Sequence, residues 1–229
     1  MISLPDSYDE SGEEKRYPVM ILLDGNVFFK TATGVVHFMS SQRNRNHLMP
    51  ETIVVAIENV DRERDFTVTK IQTKRVNTMG GGRNFLDFIQ KELIPYVDGN
   101  YRTEPHRTLA GHSLGGLLTI NAYLDANSLF DAYLAIDPSL WWDEPMMVQK
   151  VEAVQPASLK KKLYIATANQ GEAKQGKNKK RHDAFYAGLH EKAGRQIPVA
   201  IEYFADEDHR SVPLKALYNG LKFLNSDNP

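Results

Sequence analysis

No cysteine occurs among the 229 residues. That excludes thiol nucleophiles, disulfides and zinc–thiolate sites, and it leaves the redox compartment open. No apolar run approaches the ~20 residues needed to span a bilayer, so no membrane insertion is expected. Neither sign of charge dominates: 28 Lys and Arg face 29 Asp and Glu, a net charge of −1. A nucleic acid or an anionic membrane surface therefore has no electrostatic foothold. No apolar h-region follows Met1, so no signal peptide is read. "ISLP" reads as the tail of a strand, and the expectation is a chain that begins partway into its domain with the first strands missing. The compartment is left unknown: a cytoplasmic location is expected of the chain as it stands, and a periplasmic or secreted one if a leader was trimmed. What is present is 41% hydrophobic residues with ordinary Gly and Pro usage, enough for one large folded domain over residues 1–229.

Short β-rich runs alternate with helical patterns. The expected strands are 18–23, 52–57, 107–111, 132–136, 162–168 and 199–204, several of them apolar at nearly every position. Both faces of such strands are buried, as in a parallel sheet covered by helices. The expected helices are 83–97, with Pro95 marking its end, then 114–126, 177–194 and 211–225. The alternation predicts one doubly wound α/β domain without repeat or linker. Residues 169–183 are the most polar stretch, read as a solvated basic loop, and His182 and His190 are expected in a solvated helix.

"LAGHSLGGLL" (109–118) places Ser113 in a G-x-S-x-G pattern. Chance alone produces that pattern roughly 0.1 times in a chain of this length, so its context decides. Here it falls between an expected strand and an expected helix, the setting of a nucleophile elbow. Its glycines leave room for the sharp turn, and the N–H of Leu114 then points to where an oxyanion would form. Serine needs a base. Of seven histidines, His209 follows the last strand in "FADEDHRSVP" and comes last in chain order, as the hydrolase connectivity requires. His112, inside the elbow, is expected to pack beside the site. The acid should follow strand 162–168: Glu172 is closest to its end, and Asp183 is the alternative. Asp206 and Asp208 adjoin the histidine in sequence and are expected to point elsewhere. "LLDGN" supplies a tight turn after an earlier strand, with the N–H of Asn26 as second oxyanion donor.

The segments "RYPVMILLDGN", "VVAIENVDRERDFT", "GGGRNFLDFIQKELIPYVDGNYRTEPHRTLAGHSLGGL", "AIDPSLWWDE" and "DEDHRSVPLKALYNGLKFL" together resemble the putative-esterase, or esterase D-like, family of α/β-hydrolases, nearest its siderophore-esterase-like branch. The resemblance spans about residues 3–225. It implies an α/β-hydrolase fold and a serine carboxylic ester hydrolase working through an acyl-enzyme, without cofactor or metal, on a small-molecule ester. It also implies Ser113 as nucleophile, His209 as base and an oxyanion N–H at Asn26, and it leaves the acid open. Asp61, Arg62 and Arg64 follow strand 52–57 and are expected on the substrate-pocket rim. Trp141 and Trp142 follow strand 132–136, one expected in the core and the other as an aromatic wall. The alternatives are a feruloyl or acetylxylan esterase, a thioesterase or S-formylglutathione hydrolase, and an inactive binding module of the same fold.

Overall fold

The computed structural model describes residues 1–74, 76–125, 129–156, 159–194 and 197–226. In chain order the elements are β1 (Ile2–Ser3), β2 (Tyr17–Leu22), α1 (Gly25–Ser40), β3 (Ile53–Ala56), α2 (Arg62–Phe66), α3 (Gly82–Phe88), α4 (Ile94–Asn100) and β4 (Thr103–His112). They continue with α5 (Leu114–Leu124), β5 (Ala132–Ile136), α6 (Glu144–Ala153), β6 (Lys162–Ala168), α7 (Glu172–Ala193), β7 (Val199–Phe204) and α8 (Val212–Leu224).

Among the described residues seven strands form one sheet in the order β1-β3-β2-β4-β5-β6-β7. The six expected strands are all parallel to one another. Ile2 and Ser3 add a short antiparallel pairing against Val55 and Val54. Strand alternation divides the core in two. Val19, Ile21 and Leu23 pack with the helices on one face, α5 among them, whereas Met20 and Leu22 pack with α1 and α8 on the other. This is the expected doubly wound α/β arrangement, with helices on both faces of a mostly parallel sheet.

The helical expectations change in two places. Pro95 does not end a helix; it lies in the first turn of α4, which runs on to Asn100. A π-helical turn, Ile89–Leu93, joins α3 to α4 just before it, and this widening accommodates a residue with no N–H to donate. The polar stretch 169–183 is not a loop, because α7 starts at Glu172. The first part of its inward face is polar, with Asn178 and His182, one turn apart, both buried, before Phe185 and Leu189 take up the apolar packing. A helix start whose inward residues are polar leaves no apolar periodicity to read there.

Candidate active site

The serine turn is built from close approach of backbone. β4 ends at His112 and α5 begins at Leu114, which leaves Ser113 alone at φ 60° and ψ −116°. This is a conformation that non-glycine residues adopt only when their surroundings enforce it. The surroundings here are hydrogen bonds. Ser113 N–H donates to the Ile136 carbonyl at 3.0 Å, and its own carbonyl accepts from Leu117 at 2.9 Å and Ser139 at 3.0 Å. A Cβ on Gly111 would stand 2.4 Å from the backbone of Gly115, and one on Gly116 would stand 3.1 Å from the Ile136 carbonyl and Pro138 Cα. Only glycine lets helix and strands close to this distance.

His209 reaches the serine from the loop between β7 and α8. Asp208 shapes that loop, its Oδ1 accepting from the N–H groups of Arg210 and Ser211 at 2.7 and 2.9 Å. These two bonds hold its carboxyl below the usual carboxylate range. His209 Nε2 lies 3.1 Å from Ser113 Oγ. The ring is backed by His112, centroid to centroid 4.4 Å, and His112 Nε2 donates to the His209 carbonyl at 2.8 Å. Burial, with the neighbouring His209 ring, lowers the His112 pKa to about 4, so this second imidazole stays neutral beside the first.

Among the described residues the carboxylate on His209 is Asp137, which was not one of the two expected. His209 Nδ1 donates to Asp137 Oδ2 at 2.5 Å. Asp183 lies half-exposed on α7, ion-paired to Lys179 at 2.5 Å. Glu172 opens α7, and its side chain lies outside the described residues. Asp137 lies one strand nearer the elbow than the position expected for the acid. β5, not β6, is the immediate neighbour of β4, and a residue at its C-terminal end stands directly beside the elbow. Asp137 occupies that end at φ 39°, the first residue after Ile136. A signal was available in "AIDPS": an acid closing the strand next to the elbow strand, in the chain order Ser, Asp, His.

Asp137 is almost fully buried. Burial alone would raise its pKa, but hydrogen bonds outweigh that and hold the carboxyl below the usual range. Besides His209, its oxygens accept from Gln170 Nε2 at 2.5 Å, Ala168 N–H at 3.1 Å and Asn178 Nδ2 at 3.3 Å. His182 is not solvated as expected but fully buried. Its Nε2 donates to the Pro138 carbonyl and its Nδ1 accepts from Thr167 Oγ1, both at 2.8 Å. Burial lowers its pKa, consistent with this neutral form. α7 is thus the brace under the carboxylate, and its polar inward residues follow from that.

The N–H groups of Asn26 and Leu114 lie in the first turns of α1 and α5, where backbone donors have no intrahelical partner. β2 and β4 pair directly, so these two helix starts sit side by side at the serine's edge of the sheet. The residues expected on the pocket rim are engaged within the protein. Asp61 caps α2, accepting from Arg64 N–H at 3.1 Å and from Thr78 Oγ1 at 2.9 Å. Arg62 grips both oxygens of Asp24 at 2.7 and 3.0 Å, and Arg64 both oxygens of Asp65 at 2.6 and 2.9 Å. Trp142 is in the core and Trp141 is half-exposed, their ring centroids 5.6 Å apart. Ser139, buried, brings its Oγ to 3.2 Å from Ser113 Oγ and was not foreseen.

A strained serine at a strand–helix turn, facing an imidazole backed by a buried carboxylate, is the arrangement of the α/β-hydrolase class. The chain belongs to the putative esterase family, whose model, described as Putative esterase, matches residues 1–207. The chain is 30% identical to the ferri-bacillibactin esterase BesA of Bacillus subtilis, over 93% of this chain and 81% of that one. It is 26% identical to the siderophore enterobactin esterase of Emericella nidulans, over 98% and 88%. Among solved structures, an IroE-like serine hydrolase from Shewanella oneidensis superposes with a TM-score of 0.85 at 32% identity, covering 98% of this chain and 74% of that one. The protein is an esterase of α/β-hydrolase fold.

Proposed function

We propose that the chain is a single catalytic domain that hydrolyses a bulky siderophore-type carboxylic ester through an acyl-enzyme, with Ser113 as nucleophile, His209 as base and Asp137 as acid. The observation that carries this reading is the continuous hydrogen-bond chain from Ser113 Oγ through His209 to Asp137. Ser113 Oγ gives its proton to His209 Nε2 and attacks the ester carbonyl carbon. The carbonyl oxygen takes up the negative charge facing the N–H groups of Asn26 and Leu114. His209 then passes the proton to the departing alkoxide, which leaves as an alcohol. A water molecule, deprotonated by the same nitrogen, attacks the acyl-Ser113 carbonyl, and the acid product leaves as Ser113 is reprotonated. Asp137 stays ionised throughout and steadies the imidazolium. Trp141 offers an exposed aromatic face at the same sheet edge for the body of the substrate.

The substrate class rests on the relatives named above, which are esterases of ferri-bacillibactin and enterobactin. The test compares a tri-catecholate lactone with methyl ferulate, p-nitrophenyl acetate and p-nitrophenyl butyrate, on wild-type protein and Ser113→Ala. The expected result is highest kcat/KM on the lactone, and a loss on the order of 10⁶ in kcat for the folded mutant. A Ser113→Ala protein that keeps a tenth of the wild-type rate overturns the mechanism. Preference for methyl ferulate over the lactone overturns the substrate class.

A further inference from the structure

We propose that Arg62 is a positioning residue for ester hydrolysis: through Asp24 it clamps the start of α1, which bears the Asn26 N–H, against the serine turn, so that the two oxyanion donors keep their spacing. The proposal rests on the reading of Asn26 and Leu114 as those donors.

Asp24 is the joint. It is buried, sits in the left-handed region at φ 55°, and starts α1 through its backbone carbonyl, which accepts from Val27 and Phe28 N–H at 2.9 and 3.0 Å. A non-glycine residue in that region costs about 1 kcal/mol or more and persists only when its surroundings hold it there. What holds it is the two-point contact with Arg62 Nε and Nη2. The same Nη2 lies 3.5 Å from the carbonyl of His112, the last residue before the serine. The guanidinium thus touches both the helix start that carries one donor and the strand end that carries the other. Two further ties run alongside it: Gly25 N–H donates to the Ile57 backbone carbonyl at 2.7 Å, and Asn59 N–H to the Asn26 side-chain Oδ1 at 3.5 Å. Arg62 is itself steadied, its guanidinium 5.7 Å from the Phe66 ring centroid. Removing it would leave a buried carboxylate without its counter-charge, and burial already raises the Asp24 pKa despite the guanidinium. The carboxyl would then protonate or turn outward, and the helix start that aims Asn26 would move with it.

A guanidinium on the pocket rim would bind an anionic substrate, and its loss would appear in KM. A clamp on the oxyanion donors acts on the transition state whatever the charge of the substrate, and its loss appears in kcat. The test uses p-nitrophenyl acetate, which is neutral, and mono-p-nitrophenyl succinate, which is anionic, on wild-type, Arg62→Met, Arg62→Lys and Ser113→Ala proteins. Phenylboronic acid, which forms a tetrahedral anion on serine, serves as transition-state mimic. Arg62→Met is expected to lose roughly 10- to 100-fold in kcat on both esters, the scale of a misplaced oxyanion donor, with KM changed less than about twofold. Its affinity for the boronic acid should fall in parallel. Arg62→Lys, which keeps the charge but not the two-point grip, is expected to fall between. A wild-type kcat in Arg62→Met, or a loss confined to KM for the succinate ester, overturns the proposal. If Arg62→Met does not fold by circular dichroism, Arg62→Lys decides: a kcat lowered on both esters with KM nearly unchanged supports the clamp and a wild-type kcat overturns it. An active Ser113→Ala protein would sink the nucleophile assignment itself. An inactive one beside a silent Arg62→Met removes only the clamp.

Discussion

At Asp137 two opposed forces act on one carboxyl group. Desolvation favours the neutral acid, while donors from His209, Gln170 and Ala168 favour the anion, and they prevail. The group therefore remains an acceptor well into the acid range and can hold the His209 ring in the tautomer that presents Nε2 to Ser113. Asp137→Asn is expected to lower kcat on p-nitrophenyl acetate by about 10⁴, because the amide can donate to Nδ1 and select the wrong tautomer. Asp183→Asn, which alters an exposed pair with Lys179, should leave the rate within about twofold. Steady-state rates of both mutants at pH 8 check the assignment, and the opposite pattern would transfer the role to Asp183.

Among the elements, the strand–helix turn carries the tightest steric demand. Added Cβ atoms on Gly111 and on Gly220 would each meet a neighbour at 2.4 Å, but the neighbours differ. At Gly111 it is the backbone of Gly115, which cannot move without displacing α5 and the serine. At Gly220 it is Leu134 Cδ1, the end of a side chain, although the Tyr164 ring at 2.9 Å limits the room. Overpacking costs about 1–3 kcal/mol, and in α8 the gain in helix propensity from Gly to Ala, about 1 kcal/mol, offsets part of it. Gly111→Ala should therefore be the more destabilising of the two in urea unfolding, by roughly 1–2 kcal/mol, and should also lose activity. Equal midpoints for the two mutants would contradict this account.

For the whole molecule, the two buried histidines set a pH dependence. His112 titrates near 6.5 in the unfolded chain and at about 4 when folded, and the His182 pKa is also lowered by burial. Between those values the unfolded state binds more protons, so stability is present above pH 6.5 and drains away as the pH falls toward 4. His112 alone accounts for a loss of about 2 kcal/mol between pH 7 and pH 5. Wild-type protein should show a lower urea midpoint at pH 5 than at pH 7. His112→Gln, which does not titrate, should show a shallower fall between the same two pH values. An identical slope in the mutant would remove His112 as a cause.

The sheet and the serine turn were readable from the chain because each rests on local order. Apolar runs of five to seven residues mark parallel strands by themselves, and the glycines flanking Ser113 declare a turn that other residues would obstruct. The family followed from the same segments, and the model match over residues 1–207 agrees with it. What lay beyond the sequence was settled by strand order and by which polar atoms are buried. A sequence shows that β5 follows β4 but not which strand ends stand beside the elbow, so the partner carboxylate was sought after β6, one strand farther from the elbow than Asp137. Nor does it show that an Arg in a charged loop lies against Asp24, or that α7 turns Asn178 and His182 inward. Each of those placements joins residues that are distant in the chain through hydrogen bonds made only when the sheet is assembled, and hydrogen bonding, unlike hydrophobic patterning, has no period along the sequence.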